Sequence, residues 1–179
     1  WIGSYQLGFS RMDEAIRSAV RSLEGEQEAP VRQRTLDFWH EAVRQHVRPG
    51  ARAAVARHKA AGEPCVLLTS SSNYLSEAAV TEVGLDGFLS NSFVVRDGLF
   101  TGETVEPLCF GRGKITHARA YADERGVSLD QCAFYTDSYS DLPLMEVVGR
   151  PVAIDPDPRL RRVARRRGWP VVDWDGTGT

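Results

Sequence analysis

Cysteine is scarce in this 179-residue chain, which holds three. Cys65, Cys109 and Cys132 are too few and too scattered for a disulfide framework, and no CxxC pair suggests zinc. They read as small buried hydrophobes in a reducing compartment, which sets the expectation of a cytoplasmic protein. Long apolar runs are also missing. None approaches the ~18 residues of a membrane span, and the first 25 residues contain no continuous apolar stretch of signal-peptide type. An excess of one charge is missing too. Lys plus Arg number 22 against 24 for Asp plus Glu, a net charge of −2, so the balance gives no general reason to expect nucleic acid or a membrane as partner. Lysine itself is nearly absent: of the 22 basic residues only Lys59 and Lys114 are lysine. A position that keeps lysine in such a chain has a use for an ammonium rather than a guanidinium. There is no internal repeat and no low-complexity segment.

What remains is an ordinary globular composition, 42% hydrophobic and 26% charged. Residues 1 to about 48 read as two amphipathic helices without a strand, a small helical cap. Ser10 with Asp13 resembles a capping box, and Met12, Ile16, Val20 and Leu23 follow at helical spacing. Glu24 to Glu28 reads as a turn, and Pro30 suits a first helical position. Val31, Trp39, Val43 and Val47 continue on one face until Pro49-Gly50.

From residue 49 to 179 the pattern becomes that of an α/β core domain. A helix over 51–61 precedes Cys65-Val66-Leu67-Leu68-Thr69, an apolar run suited to a strand buried on both faces. A helix over 73–83 follows, then a hairpin over 93–104 around Asp97-Gly98. A helix over 114–125, a strand over 132–136, a short helix over 142–148, a strand over 151–154, a helix over 158–167 and a strand over 170–174 complete the chain. Alternation of this kind predicts a three-layer, Rossmann-like parallel sheet. Ligands then bind beyond the carboxyl ends of the strands.

Two strand ends carry candidate chemistry. The first reads Thr69-Ser70-Ser71-Ser72-Asn73, where hydroxyls and N–H groups before a helix form an anion site or a simple N-cap. The second reads Thr136-Asp137-Ser138-Tyr139-Ser140-Asp141. Its carboxylates at i and i+4 can serve a hard cation, or a turn and a cap. Lys114 opens a helix after Gly111-Arg112-Gly113, outside any P-loop pattern, and can neutralise a phosphate or pair with the clustered acids.

In this order, these elements resemble the haloacid dehalogenase-type phosphatase superfamily, in particular its phosphoserine-phosphatase-like subgroup with an early helical cap. Leu67-Leu68-Thr69 is similar to the family's second motif, Gly113-Lys114 to its third, and Asp137 with Asp141 to its fourth. The resemblance spans roughly residues 30 to 174. It implies Mg²⁺-dependent hydrolysis of a small phosphorylated metabolite through an aspartyl-phosphate. It makes Asp137 and Asp141 metal-side residues, with Asp141 also supporting Lys114. Thr69, Ser70, Ser71 and Lys114 become phosphate-binding residues, and Thr69, Lys114 and Asp141 catalytic ones.

The family's first motif, Asp-x-Asp-x-Thr after an apolar strand, does not precede the cap. The expectation is that the nucleophile lies on an N-terminal strand outside this sequence. Two other readings stand beside it. One is a catalytically inactive relative that binds a phosphorylated ligand or a protein partner. The other is a circular permutation using Asp173 and Asp175 in Val171-Val172-Asp173-Trp174-Asp175-Gly176-Thr177. Arg159, Arg161, Arg162, Arg165, Arg166 and Arg167 form a basic run without interleaved aromatics, read as a solvated helix face rather than a nucleic-acid site. His40, His46, His58 and His117 show no metal spacing, and Trp39 with His40 are cap residues placed to touch substrate.

Overall fold

The computed structural model describes residues 9–174. Helix α1 (Phe9–Arg21) and helix α2 (Glu28–Phe38) come first. Ser10, expected just ahead of the first helix, lies within α1. Pro30 sits at the third position of α2, still within the first turn, where its missing N–H costs no intrahelical bond. After Phe38 the helix loosens into a π turn over Trp39–Val43 and a 3-10 turn over Arg44–His46. It therefore loses α-geometry ten residues before Arg48. Helix α3 (Pro49–Ala60) then starts with its proline at N1.

The α/β part follows as β1 (Val66–Ser72), α4 (Asn73–Val83), β2 (Gly87–Asn91), β3 (Phe93–Arg96), β4 (Leu99–Thr104) and α5 (Gly113–Asp123). It ends with β5 (Ala133–Thr136), α6 (Leu142–Met145), β6 (Arg150–Ile154), α7 (Pro158–Arg167) and β7 (Val171–Val172). The parallel arrangement is present but divided. β1 pairs with β2, and β5 pairs with β6 and β6 with β7, all in parallel. β3 and β4 form the expected antiparallel hairpin, turning at Asp97 and Gly98, both with positive φ.

Among the described residues, β1 and β5 share no ladder. β1 is accordingly half-buried along its whole length, not buried on both faces as its apolar run suggested. It also runs three residues beyond Thr69, because Ser72 re-pairs with Asn91 across a register shift. β2 was not anticipated: Gly87-Phe88-Leu89-Ser90-Asn91 has one strong β-former and ends in polar residues. β7 is only two residues long.

Two apolar clusters hold the layers together. Met145, Ala153, Leu160 and Ala164 are buried under Phe134, Tyr139 and Trp169, fixing α6 and α7 on β6. Val31, Tyr74 and Phe100 form the second, joining α2, α4 and β4. The larger of these side chains, Met145, Leu160, Val31 and Phe100, each contribute about 1.5–3 kcal/mol on burial. The six arginines of α7 are exposed, opposite Leu160 and Ala164. Of the cysteines, Cys109 is fully buried, while Cys65 and Cys132 are only partly so.

Candidate active site

The carboxyl ends of β1 and β5 face a cavity of about 510 Å³. Thr69 and Ser70 reach it from β1, Lys114 from α5, and Thr136, Asp137 and Asp141 from the segment after β5. These residues, scattered over 73 positions of sequence, thus line one space. Ser71 does not line it. Its N–H instead donates to Thr69 Oγ1 at 3.2 Å, closing the turn in which Thr69 stands. Trp39 and His40 are also elsewhere, on a second cavity between α2 and α4. Trp39 is buried there.

The β1 side of the cavity is built by a bulge. Leu68 pairs with Leu89 and Ser72 with Asn91, so three residues of β1 oppose one of β2. The bulge turns Thr69, Ser70 and Ser71 out of the ladder. Ser72 then caps α4 by accepting the Leu75 N–H at 3.3 Å. The start of an eleven-residue helix directly follows this loop, and its dipole favours an anion there.

The β5 side is acidic and partly buried. Lys114 Nζ donates to Asp141 Oδ2 at 2.9 Å, and Thr136 Oγ1 donates to the same oxygen at 2.7 Å. Lys114 is 6% exposed and Asp141 4%. Asp141 Oδ1 is 2.8 Å from the ammonium, yet no hydrogen bond reaches it among the described residues. Asp137 keeps its carboxylate exposed, with the Arg48 guanidinium 3.9 Å away. Arg48 mainly engages Asp155, at 2.8 Å.

Lys114 is delivered by a tight turn. A Cβ on Gly113 would lie 1.9 Å from the Leu108 carbonyl oxygen, so only glycine lets the 108–113 segment fold this closely. The glycine before Lys114 is thus a packing requirement, not a phosphate loop. Cys109 in this segment has its thiol pushed up to about 11 by burial, with Lys114 pulling down and Asp141 pushing up.

No group of three or more His, Cys, Asp or Glu side chains gathers among the described residues. The chain offers a hard cation an exposed carboxylate at Asp137 and, beside the Lys114 ammonium, the buried Oδ1 of Asp141, which accepts no hydrogen bond among the described residues. That donor set suits Mg²⁺, which keeps several waters and takes one or two carboxylates. Asp173 is described and Asp175 lies outside the described residues, so a pair at these positions has no geometry to weigh. Sequence reasoning missed Arg48, Thr136 and Asn91. Only Thr136 had a signal, as the second strand-terminal threonine.

Comparison with known proteins bears on the family and the fold. The family model for haloacid dehalogenase-like hydrolases matches residues 2–146. Phosphoserine phosphatase SerB1 of Mycobacterium tuberculosis is 34% identical over 158 residues, 88% of this chain and 51% of the relative. Histidinol-phosphatase of Neisseria meningitidis is 28% identical over 174 residues, 95% of this chain and 78% of the relative. A Bordetella pertussis protein of unknown function superposes with a TM-score of 0.84 at 28% identity, over 90% of this chain and 74% of that one. A phosphoserine phosphatase solved as a phospho-aspartyl intermediate analogue shares the fold, with a TM-score of 0.64 at 16% identity, over 91% and 72% of the two chains. The chain spans about half the length of the curated relatives it matches first. By the family match and the SerB1 likeness together, the chain belongs to the haloacid dehalogenase-like hydrolases.

Proposed function

We propose that the complete protein hydrolyses phosphomonoesters of a small metabolite with Mg²⁺ as cofactor. The observation that carries this is the convergence of a hydroxyl-bearing bulge, a buried lysine and an exposed carboxylate on one cavity. The Thr69 hydroxyl and the Ser70 N–H, both at the cavity, hold phosphate oxygens, aided by the α4 N-terminus. Lys114, fixed by Asp141, places its ammonium against the charge that gathers on the phosphoryl oxygens and the nucleophile. Thr136 keeps the Asp141 carboxylate in one orientation for that purpose.

Asp137 and Asp141 would hold Mg²⁺, which supplies charge neutralisation and orientation at phosphorus. The nucleophile is an aspartate carried by a strand that enters between β1 and β5. Its carboxylate oxygen bonds to phosphorus as the ester P–O bond breaks. The leaving alkoxide takes a proton from a neighbouring acid. Water then attacks the aspartyl-phosphate, releasing inorganic phosphate and restoring the carboxylate. The names borne by the relatives make phosphoserine and histidinol phosphate the first substrates to try.

Phosphate release by the complete protein, with and without Mg²⁺, tests this. Asp137→Asn should lower the Mg²⁺-dependent rate by roughly 10³-fold. Unchanged turnover in that variant would sink the metal-side role of Asp137. Phosphate binding without any turnover would favour a catalytically inactive, ligand-binding protein.

A further inference from the structure

The bulge in β1 leaves backbone groups without ladder partners, and each must find another. The Ser70 carbonyl finds the side chain of Asn91: Nδ2 donates to it at 2.7 Å. The other end of the same amide is also used. Asn91 Oδ1 accepts the Cys109 N–H at 2.8 Å. Asn91 is 2% exposed and Cys109 is fully buried. A carboxamide is the one small side chain that offers a donor and an acceptor on a single planar group.

The two groups it joins belong to different halves of the site. Ser70 lies in the bulge that faces the cavity. Cys109 lies in the segment whose turn at Leu108 and Gly113 delivers Lys114. Cys109 is further fixed by its Sγ, 3.4 Å from the Leu89 carbonyl on the same strand as Asn91. Hydrogen bonds therefore run from the Ser70 carbonyl through Asn91 to the Cys109 N–H, and the 109–114 turn carries on to Lys114 and its partner Asp141.

We propose that Asn91 is a positioning residue that holds the Thr69–Ser71 bulge and the Lys114 turn in register, so that both meet one phosphate. Asn91 does not line the cavity and touches no substrate. It acts by fixing where the Thr69 hydroxyl and the Ser70 N–H stand relative to the Lys114 ammonium. The phosphate in this statement rests on the function proposed above; the clamp between the two segments does not.

The test uses the complete protein and its Asn91→Asp variant. Aspartate keeps an oxygen for the Cys109 N–H but sets a second oxygen against the Ser70 carbonyl. Inorganic phosphate is the probe, read as a competitive inhibitor and by calorimetry. Its affinity should fall roughly tenfold or more, with KM rising in step. Backbone hydrogen exchange should accelerate together in residues 69–72 and 109–114, while β6 and α7 stay protected. Asn91→Ser, which is neutral and too short to span both partners, should loosen the same two segments.

Unchanged phosphate affinity in a folded Asn91→Asp variant overturns the proposal and leaves the phosphatase reading intact. Faster exchange everywhere marks a merely structural residue and overturns it too. If the unsubstituted protein neither binds nor releases phosphate, the functional reading fails, and the phosphate role of Asn91 fails with it. The exchange pattern then still decides whether the clamp exists.

Discussion

Thr69 stands at the bulge in β1 and Thr136 at the last position of β5, and each threonine Oγ1 accepts the N–H two residues on at 3.2 Å. A serine follows at each end as a cap, Ser72 accepting from Leu75 and Ser138 from Ser140. The local geometry is shared; the electrostatics are opposite. The end of β1, Thr69 to Ser72, carries hydroxyls and no acid, whereas β5 is followed by Asp137 and Asp141. The anchors differ as well. The β1 end is tied to α2 by a neutral donor, Tyr74, whose hydroxyl donates to Glu28 at 2.8 Å. The β5 end is tied to α5 by a buried ion pair. One turn chemistry therefore precedes both a neutral, hydroxyl-rich loop and an acidic one, and the neighbouring residues select which.

The largest effect should come from breaking the charged anchor. Lys114→Met leaves the Asp141 carboxylate buried beside Thr136 alone, and Asp141→Leu leaves a buried ammonium. Each should lower stability by about 3–5 kcal/mol in urea unfolding. The double variant should recover most of that loss, because no unpaired charge remains. Equal additive losses would mean that the two side chains do not depend on each other.

The neutral anchor should fail at the other end of the pH scale. Burial, and then the Glu28 carboxylate, push the Tyr74 hydroxyl up to about 12. An unfolded tyrosine ionises near 10. Tyr74 therefore adds stability below pH 10, and this is lost as pH rises from 10 to 12, because the unfolded chain releases the proton first. The slope should be about 1.4 kcal/mol per pH unit in that window. Tyr74→Phe should remove that part of the alkaline dependence, measured as the difference between the two unfolding curves.

Much of this contrast was legible before the structure. Helices α4 and α7 end where Gly84 and Gly168 take left-handed conformations, and both match their expected bounds. The Asp97-Gly98 hairpin and the strand ending at Thr136 were readable because turn glycines and apolar runs are local signals. The family resemblance, rather than any local signal, grouped Thr69, Lys114, Asp137 and Asp141, and the folded chain brings them to one cavity. The rest was carried by tertiary context. β2 forms because β1 pairs with it, not because Gly87 or Asn91 favour strands. The loss of α-geometry at Trp39 has no proline or glycine to announce it. Asn91 carries no motif, since its role depends on a bulge in another strand.

A smaller effect should separate the two serine caps. Ser72 closes an eleven-residue helix, so Ser72→Ala should cost about 1 kcal/mol. Ser138 precedes only a short 3-10 turn and shares its hydroxyl with Ser140 at 2.8 Å. Ser138→Ala should therefore cost less, by the same urea measurement. An equal cost would place the β5 loop under more demand than its hydrogen bonds indicate.

The smallest change in stability should come with the largest change in proposed chemistry. Asp137 is the exposed member of the acidic pair, and its nearest cation, an Arg48 nitrogen, is 3.9 Å away. Such a contact contributes little in water. Asp137→Asn should thus unfold within about 0.5 kcal/mol of the unsubstituted chain, while Asp141→Asn disturbs a buried ammonium and a threonine hydroxyl. The two aspartates, four residues apart, then part company: one is held by the fold and the other is left to a ligand. Isothermal titration of Mg²⁺ against the complete protein and its Asp137→Asn variant tests that division. Weaker binding with unaltered stability is the expected result. A variant that binds Mg²⁺ as well as the unsubstituted protein would move the cation to the buried carboxylate alone. It would also undo the contrast between the two strand ends, since the exposed acid would then have no task that the β1 loop lacks.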